Sequence, residues 1–450
     1  MLKKILIANR GEIAVRIIRA CRELGISTVA IYSEADKYAL HTQMADEAVC
    51  VGGPQSKDSY LNMTNILSAC VLTGCEGIHP GFGFLSENPK FAKMCEECNI
   101  KYIGPDYKII ELMGNKAKAR EVMKKANVPV VPGYEGEITS VSQALEIAKE
   151  IGFPVMIKAA AGGGGKVIRI VNEEGEFEHN YNAAKLESKA CFSDDRIYIE
   201  KFIQKPRHIE FQILADEYGN TIHLGERECS LQRNNQKVLE EAPSTFLNPK
   251  LREKMGEVAK CAAKAVNYKN AGTIEFLVDK DCNFYFMEMN TRIQVEHPIT
   301  EMVTGVDIVK EQLKIASGKK LDLIQDDICI SGNAIECRIN AEDTDNNFRP
   351  SPGLIKELYI PSGPGVRVDS AIYSGYEIPP YYDSMIGKMI TYGTTRDEAI
   401  IKMKRALGEF AIGGVKTNID FQYSILNNID FVKGNYDTSF IAEKLVRNNA

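Results

Sequence analysis

Asn283-Phe284-Tyr285-Phe286-Met287-Glu288-Met289-Asn290-Thr291-Arg292-Ile293-Gln294-Val295-Glu296-His297 joins an aromatic run to a dense group of polar side chains. The aromatic residues have the character of a strand. Alternate side chains on a strand share a face, so Glu288 and Asn290 project together. Two such oxygen donors can hold a divalent cation. Arg292 adds a forked cation for an oxyanion and Glu296 a candidate base. An ordinary polar strand end explains this crowding poorly.

Working upstream, Gly272-Thr273-Ile274-Glu275-Phe276-Leu277-Val278 is a second β-rich run, and residues 279–283 form a polar turn between the two. The pattern predicts a hairpin. With the turn centred near Asp281, Glu275 falls opposite residue 287 or 288, and opposed side chains approach within about 5 Å at Cβ. Neighbouring carboxylates repel unless a cation lies between them or one is protonated. The expectation is a magnesium site completed by phosphate oxygens of a nucleotide.

A phosphate cradle is also present. Phe153-Pro154-Val155-Met156-Ile157-Lys158 reads as a short buried strand and leads into the segment AAAGGGGK at 159–166. Consecutive glycines contribute no packing, but they let backbone N–H groups approach an anion and let a loop close as a mobile lid. The order of lysine and glycine differs from a Walker A loop. A flexible linker is the bland alternative, although a linker usually lacks an apolar strand just before it.

Outward from these motifs, residues 1–114 alternate β-like runs (5–8, 28–32 and 102–103) with helix patterns such as 11–24. That alternation predicts a parallel sheet with helices on its faces. The Asn9-Arg10-Gly11 turn lacks the G-x-G-x-x-G fingerprint, so a dinucleotide site is not indicated. Residues 115–330 hold the glycine loop and the hairpin, with a lid subdomain at about 131–202. Residues 331–450 form a mixed C-terminal domain with a strand at 389–392 and a helix at 396–410. The fold class is therefore α/β and α+β.

Bulk properties narrow the function. A net charge of −6 and the lack of a dense basic run argue against nucleic acid as a partner. The 12 cysteines do not form a disulfide framework, which points to a reducing, cytoplasmic setting. Cys95-Glu96-Glu97-Cys98 lacks a second pair at zinc spacing. No signal-type segment opens the chain, and no apolar run nears the ~20 residues that span a bilayer.

These residues carry a resemblance. ILIANRGEIA at 5–14, HPGFGFLSEN at 79–88, Gly104-Pro105, EMNTRIQVEH at 288–297 and ECRINAE at 336–342 occur in the order found in the biotin carboxylases of the ATP-grasp superfamily. The match runs essentially end to end. It implies an ATP-grasp fold with an N-terminal parallel α/β domain, a mobile glycine-rich lid and a C-terminal mixed domain. By the resemblance, Lys116 and Lys158 contact ATP phosphates, Gly164 and Gly165 lie in the lid, and Glu200, Lys201, Phe202 and Ile203 receive adenine. His208 is a further nucleotide contact. Glu275, Glu288 and Asn290 are implied as ligands of magnesium, or of manganese in its place. Lys237, Arg292, Gln294 and Val295 correspond to the bicarbonate pocket, Glu296 to the base, and Arg338 to the biotin-binding arginine. Taken singly, Lys116 reads as a solvated helix lysine, His208 as a strand-edge histidine, and Arg338 as a partner of Glu336 or Glu342.

Two positions depart from the family pattern. Val167 stands where a lid glycine is usual; if that position needs positive φ, a β-branched residue costs roughly 1–2 kcal/mol. Asn234 and Asn235 replace an Arg and a His near the nucleotide, and the lost cation is expected to weaken ATP binding while Asn235 still donates hydrogen bonds. No biotinylation sequence occurs and no carboxyltransferase-sized region follows. The expectation is therefore action on biotin held by a separate biotin carboxyl carrier protein, with separate carboxyltransferase subunits, as in acetyl-CoA carboxylase and fatty acid synthesis. A split pyruvate or propionyl-CoA carboxylase is the alternative. The family resemblance implies a homodimer. A different ATP-grasp ligase and a non-catalytic ATP-binding regulator are the competing classes.

Overall fold

Ile5, Leu6 and Ile7 are fully buried in strand β1 (Lys4–Ile7). An apolar run buried on both faces is what a central parallel strand requires. With β2 (Ser27–Ser33), β3 (Glu47–Gly52), β4 (Gly77–His79) and β5 (Lys101–Tyr102) it makes a parallel sheet of order β3-β2-β1-β4-β5. The helix Gly11–Glu23 turns Ile13, Ala14, Ile17, Ile18 and Cys21 inward, the spacing of one helical face. Asn9 donates through Nδ2 to the carbonyls of Pro80 and Phe82, both at 2.7 Å, and so ties the opening segment to HPGFGFLSEN. Only glycine fits at position 81, where φ is +62° and a Cβ would meet Asn9 Nδ2 at 2.9 Å.

The computed structural model describes every residue except 135–137, 160–167, 193–196 and 446–450. The described chain forms two bodies: residues 1–128, 207–276 and 288–450, and residues 129–206 with 277–287. In the second body β6 (Gly133–Tyr134), β7 (Val155–Ala159), β8 (Ile168–Val171) and β9 (Ile197–Lys201) form an antiparallel sheet of order β6-β9-β7-β8. Its core holds Ala144, Ala148, Val155, Ile157, Phe177 and Ile199. The glycine-loop residues Gly164, Gly165 and Val167 lie outside the described residues; the strands flanking that segment pair, Lys158 opposite Ile168.

Most of a long sheet lies in the first body. Its strands are β10 (Arg207–Ala215), β11 (Thr221–Arg233), β12 (Gln236–Ala242), β13 (Asn270–Val278), β14 (Phe284–Asn290) and β15 (Asn333–Asn340). The order is β14-β13-β10-β11-β12-β15, followed by strands Met385–Gly393 and Val366–Ser370. The predicted hairpin is present, and the Asp279 N–H donates to the Asn283 carbonyl at its turn. Ile335, Cys337, Ile339 and Met389 pack under the helix Arg396–Glu409 through Ala399, Met403 and Leu407. Nothing in β10 is exposed, although His208, Glu210 and Gln212 alternate with Ile209, Phe211 and Ile213. One sheet face is therefore apolar and the other polar but dry, and that dry polar face carries the site. Cys95 is buried and Cys98 exposed. Among the described residues no helix is long and apolar enough to cross a membrane.

Candidate functional site

Lys237 stands at the centre of the polar face. Its Nζ donates to Glu210 Oε2 at 2.6 Å, Glu275 Oε1 at 3.0 Å and Glu296 Oε1 at 2.6 Å. Burial alone would lower the ammonium pKa, yet Cys229, Glu210, Glu275 and Glu296 hold it well above its usual value. The carboxylates carry that effect, because burial keeps the Cys229 thiol protonated. In turn, and against burial, Lys237, Arg338 and Arg227 hold the Glu296 carboxyl below the usual range. Lys237 and His208 do the same for Glu275. Both carboxylates are ionised at neutral pH.

Arg338 completes the Glu296 cluster. Its Nε donates to Glu240 Oε1 at 2.7 Å and its Nη2 to Glu296 Oε2 at 3.1 Å. Glu336 and Glu342, the partners a bland reading assigns, make no hydrogen bond to Arg338 among the described residues. Arg292 donates through Nε to Glu87 Oε2 at 2.8 Å and through Nη2 to Asn290 Oδ1 at 3.0 Å. Gln294 Nε2 reaches Glu275 Oε1 at 2.7 Å, and the Val295 carbonyl accepts from Lys388 Nζ at 2.7 Å. Lys237, Arg292, Gln294, Glu296 and Arg338 thus belong to one hydrogen-bonded network through Glu275 and Asn290, and Val295 adjoins it in the chain.

The oxygen-donor set expected for a cation fits that role chemically. Glu275 and Asn290 are buried and linked, Asn290 Nδ2 donating to Glu275 Oε1 at 2.8 Å. His208 Nε2 lies 2.9 Å from the other Glu275 oxygen. Glu288 sits two residues before Asn290 on the same face of β14 and contacts Lys116 Nζ at 3.2 Å. Two carboxylates and an amide oxygen suit a hard divalent ion. Lys116 is itself largely solvated, with 82% of its side chain exposed, so it is available to a phosphate.

In the second body, Lys158 pairs with Glu200 across β7 and β9. Lys201 Nζ donates to the carbonyls of Gly152 and Phe153 at 2.8 and 2.9 Å, and the Phe202 N–H to Pro154 O at 3.0 Å. Ile203 is buried. Those contacts tie Lys201 and Phe202 to the backbone at the start of β7.

Several participants were not singled out from sequence. Arg227 is fully buried and donates to Glu210, Gln212, Thr300, Thr273 and Gln294 at 2.5–3.1 Å. Glu210 lies opposite Arg227 in the β10–β11 register. The strict polar–apolar alternation of β10 was the available signal, but it reads equally as a half-solvated strand. Asn234 and Asn235 acquire a different explanation from the one their position in the sequence invites. They are the exposed two-residue turn between β11 and β12, with Arg233 paired to Gln236, and their φ angles are +51° and +62°. Such a turn needs positive φ at both central residues, which asparagine tolerates better than most side chains.

Comparisons with known proteins give the family of the chain. A family model described as biotin carboxylase, N-terminal domain, matches residues 1–110, and one described as biotin carboxylase C-terminal domain matches 336–443. Between them, 115–324 match the carbamoyl-phosphate synthase L chain, ATP binding domain. The chain is 60% identical to biotin carboxylase 1 of Bacillus subtilis, covering 98% of each protein. It is 54% identical to a pyruvate carboxylase subunit of Methanothermobacter thermautotrophicus, over 98% of this chain and 90% of that one. The biotin carboxylase domain dimer of Hydrogenobacter thermophilus 2-oxoglutarate carboxylase, solved with MgADP, ADP and bicarbonate, superposes with a TM-score of 0.89 at 52% identity, covering 98% of each chain.

Proposed function

Because the chain belongs to the biotin carboxylase family, we propose that its buried Lys237–Glu296–Arg338 cluster activates bicarbonate and receives biotin. The protein is an ATP-dependent carboxylase of biotin, using magnesium and bicarbonate. The observation carrying the residue assignment is the cluster itself: two cations converge on one ionised, buried carboxylate on the polar sheet face. Bicarbonate is a weak nucleophile, so the γ-phosphoryl group of ATP is transferred to it, giving carboxyphosphate. Glu275, Glu288 and Asn290 would hold magnesium, which would supply charge compensation for the phosphate oxygens. Lys116, Lys158 and His208 serve the nucleotide, as do Glu200 to Ile203, Asn235 and the loop glycines Gly164 and Gly165.

Glu296 takes the bicarbonate proton. A carboxylate gripped by Lys237 and Arg338 is a poor base, so its basicity must rise as those cations turn toward the incoming anion. Arg292 and Gln294, with the Val295 backbone, hold the anion in place. Carboxyphosphate then yields CO2 and phosphate; that phosphate removes the ureido proton of biotin, and Arg338 stabilises the enolate oxygen as a permanently charged planar donor. Biotin arrives on a separate carrier protein, the chain acts as a homodimer, and the carboxyl group passes through carboxyltransferase subunits to acetyl-CoA for fatty acid synthesis.

ADP release by the purified chain, with ATP and magnesium, is stimulated by free biotin only when bicarbonate is present. ATP binding without such stimulation would return the chain to the class of non-catalytic regulators, and stimulation by an amine or thiol instead would mark another ATP-grasp ligase. Replacing Glu275→Gln removes one charged ligand and raises the magnesium concentration needed for half-maximal ADP release by on the order of 100-fold. An unchanged magnesium requirement rejects Glu275 as a ligand. Transfer of label from bicarbonate to acetyl-CoA, but not to pyruvate, in the assembled complex checks the acceptor.

A further inference from the structure

The β12–β15 register sets Glu240 directly opposite Glu336. Both are fully buried, and directly opposed side chains on antiparallel strands stand about 4.5–5.5 Å apart at Cβ. Glu240 Oε1 accepts from Arg338, but among the described residues Glu240 Oε2 and both oxygens of Glu336 have no hydrogen-bond partner. A buried carboxylate without a partner is costly, and two of them face to face are more so.

The surrounding charges do not relieve this. Arg338, adjacent on β15, is shared between Glu240 and Glu296. Lys237, on β12, is committed to Glu210, Glu275 and Glu296. Lys388, opposite Arg338 on the strand Met385–Gly393, gives its Nζ to the Val295 carbonyl and lies 3.1 Å from Glu12 on the first helix. Among the described residues Glu12 has no hydrogen-bond partner for either oxygen. Asp369, across from Lys388, is taken up by Arg367. His297, on the helix packed against β15, is kept neutral by burial and by Lys388, Arg16 and Arg367. Carboxyls outnumber the cations that can reach them. The missing charge is most simply a proton.

We propose that Glu240 and Glu336 share one proton at neutral pH and act as a positioning pair for Arg338. The inference rests on the reading that Arg338 receives biotin. In the singly protonated pair, the O–H of one carboxyl donates to the other, and one negative charge faces Arg338. Loss of that proton doubles the charge beside the guanidinium and holds it back from the enolate oxygen. Burial, with Glu296 adding to it and Arg338 opposing it, pushes Glu240 up to about 7. Burial, with Glu240 adding to it and Lys388 opposing it, pushes Glu336 well above the carboxylate range. The proton therefore leaves as pH rises through and above neutrality, and the biotin step weakens on the alkaline side.

Glu336→Gln tests this, since its amide can donate to Glu240 as the proton does and cannot ionise. The expected result is an alkaline inflection in log kcat/KM for biotin in the wild type that is lost, or moved by about one pH unit or more, in Glu336→Gln. Glu240→Gln removes the carboxylate gripping Arg338 and lowers kcat/KM for biotin about tenfold across the pH range. A merely structural role lowers activity without moving the inflection. Independently of turnover, infrared difference spectra of the wild-type protein should show a protonated carboxyl that titrates on the alkaline side and is missing from Glu336→Gln. Superimposable pH profiles, or no such carboxyl band at neutral pH, overturn the proposal. Absence of all biotin stimulation overturns the catalytic reading instead, and the infrared band then decides the proton alone.

Discussion

Arg338→Ala lowers biotin-stimulated ADP release by on the order of 100- to 1,000-fold while ATP binding stays near wild type. The magnitude is that of removing one preorganised donor from a developing oxyanion in a site shielded from water. Among the described residues Arg338 bonds Glu240 and Glu296 and none of the groups expected to hold magnesium or phosphate, so nucleotide affinity is expected to stay near wild type. Arg338→Lys keeps the charge but loses the planar fork, and recovers only part of the rate. Steady-state ADP release with and without biotin, beside a nucleotide-binding titration, reads both quantities. Wild-type stimulation in Arg338→Ala rejects the biotin role; lost ATP binding shows instead that the cluster supports the nucleotide site.

The largest expected effect on stability comes from Arg227. Its side chain is fully buried and donates to five groups drawn from four segments of the first body. Replacing it with methionine retains much of the volume but strips Glu210 of one of its two cations. The other, Lys237, is shared with Glu275 and Glu296. Breaking a buried pair by removing one partner costs roughly 3–5 kcal/mol, because the remaining charge is left uncompensated. The denaturant midpoint of the first body should fall accordingly. Combining Arg227→Met with Glu210→Gln should restore part of the loss, since the second change removes the orphaned charge. A shift below about 1 kcal/mol, or no recovery in the double variant, would show that the network contributes little to folding.

Local pattern was enough for much of this molecule. The apolar 5–8 run, the helical spacing after Gly11 and the turn at 279–283 predicted the first strand, the first helix and the β13–β14 hairpin, and each lies within a residue or two of its expected bounds. These features are legible because a strand buried on both faces, an amphipathic helix and a tight turn each leave a signature within a few residues. The residues at 288–297 were likewise recognisable, because one short segment contributes Asn290, Arg292, Gln294 and Glu296 together.

What the residue types alone determined was a set of chemical capacities: oxygen donors for a cation, a glycine-rich segment for phosphate, and cations beside a candidate base. Which group meets which was decided by the sheet. Arg338 bonds Glu240 and Glu296, 98 and 42 residues away in the chain, instead of its near neighbours Glu336 and Glu342. Glu240 faces Glu336 only because β12 and β15 pair in that register. The turn at Asn234 and Asn235, by contrast, joins sequential strands whose pairing is local, Arg233 with Gln236. Pair energies between charges depend on separation and on exclusion of water, and neither quantity exists until distant strands align and the polar face is covered. The sequence supplies the charges; their tertiary pairing sets which remain ionised, which hold a proton and which can turn to meet a substrate.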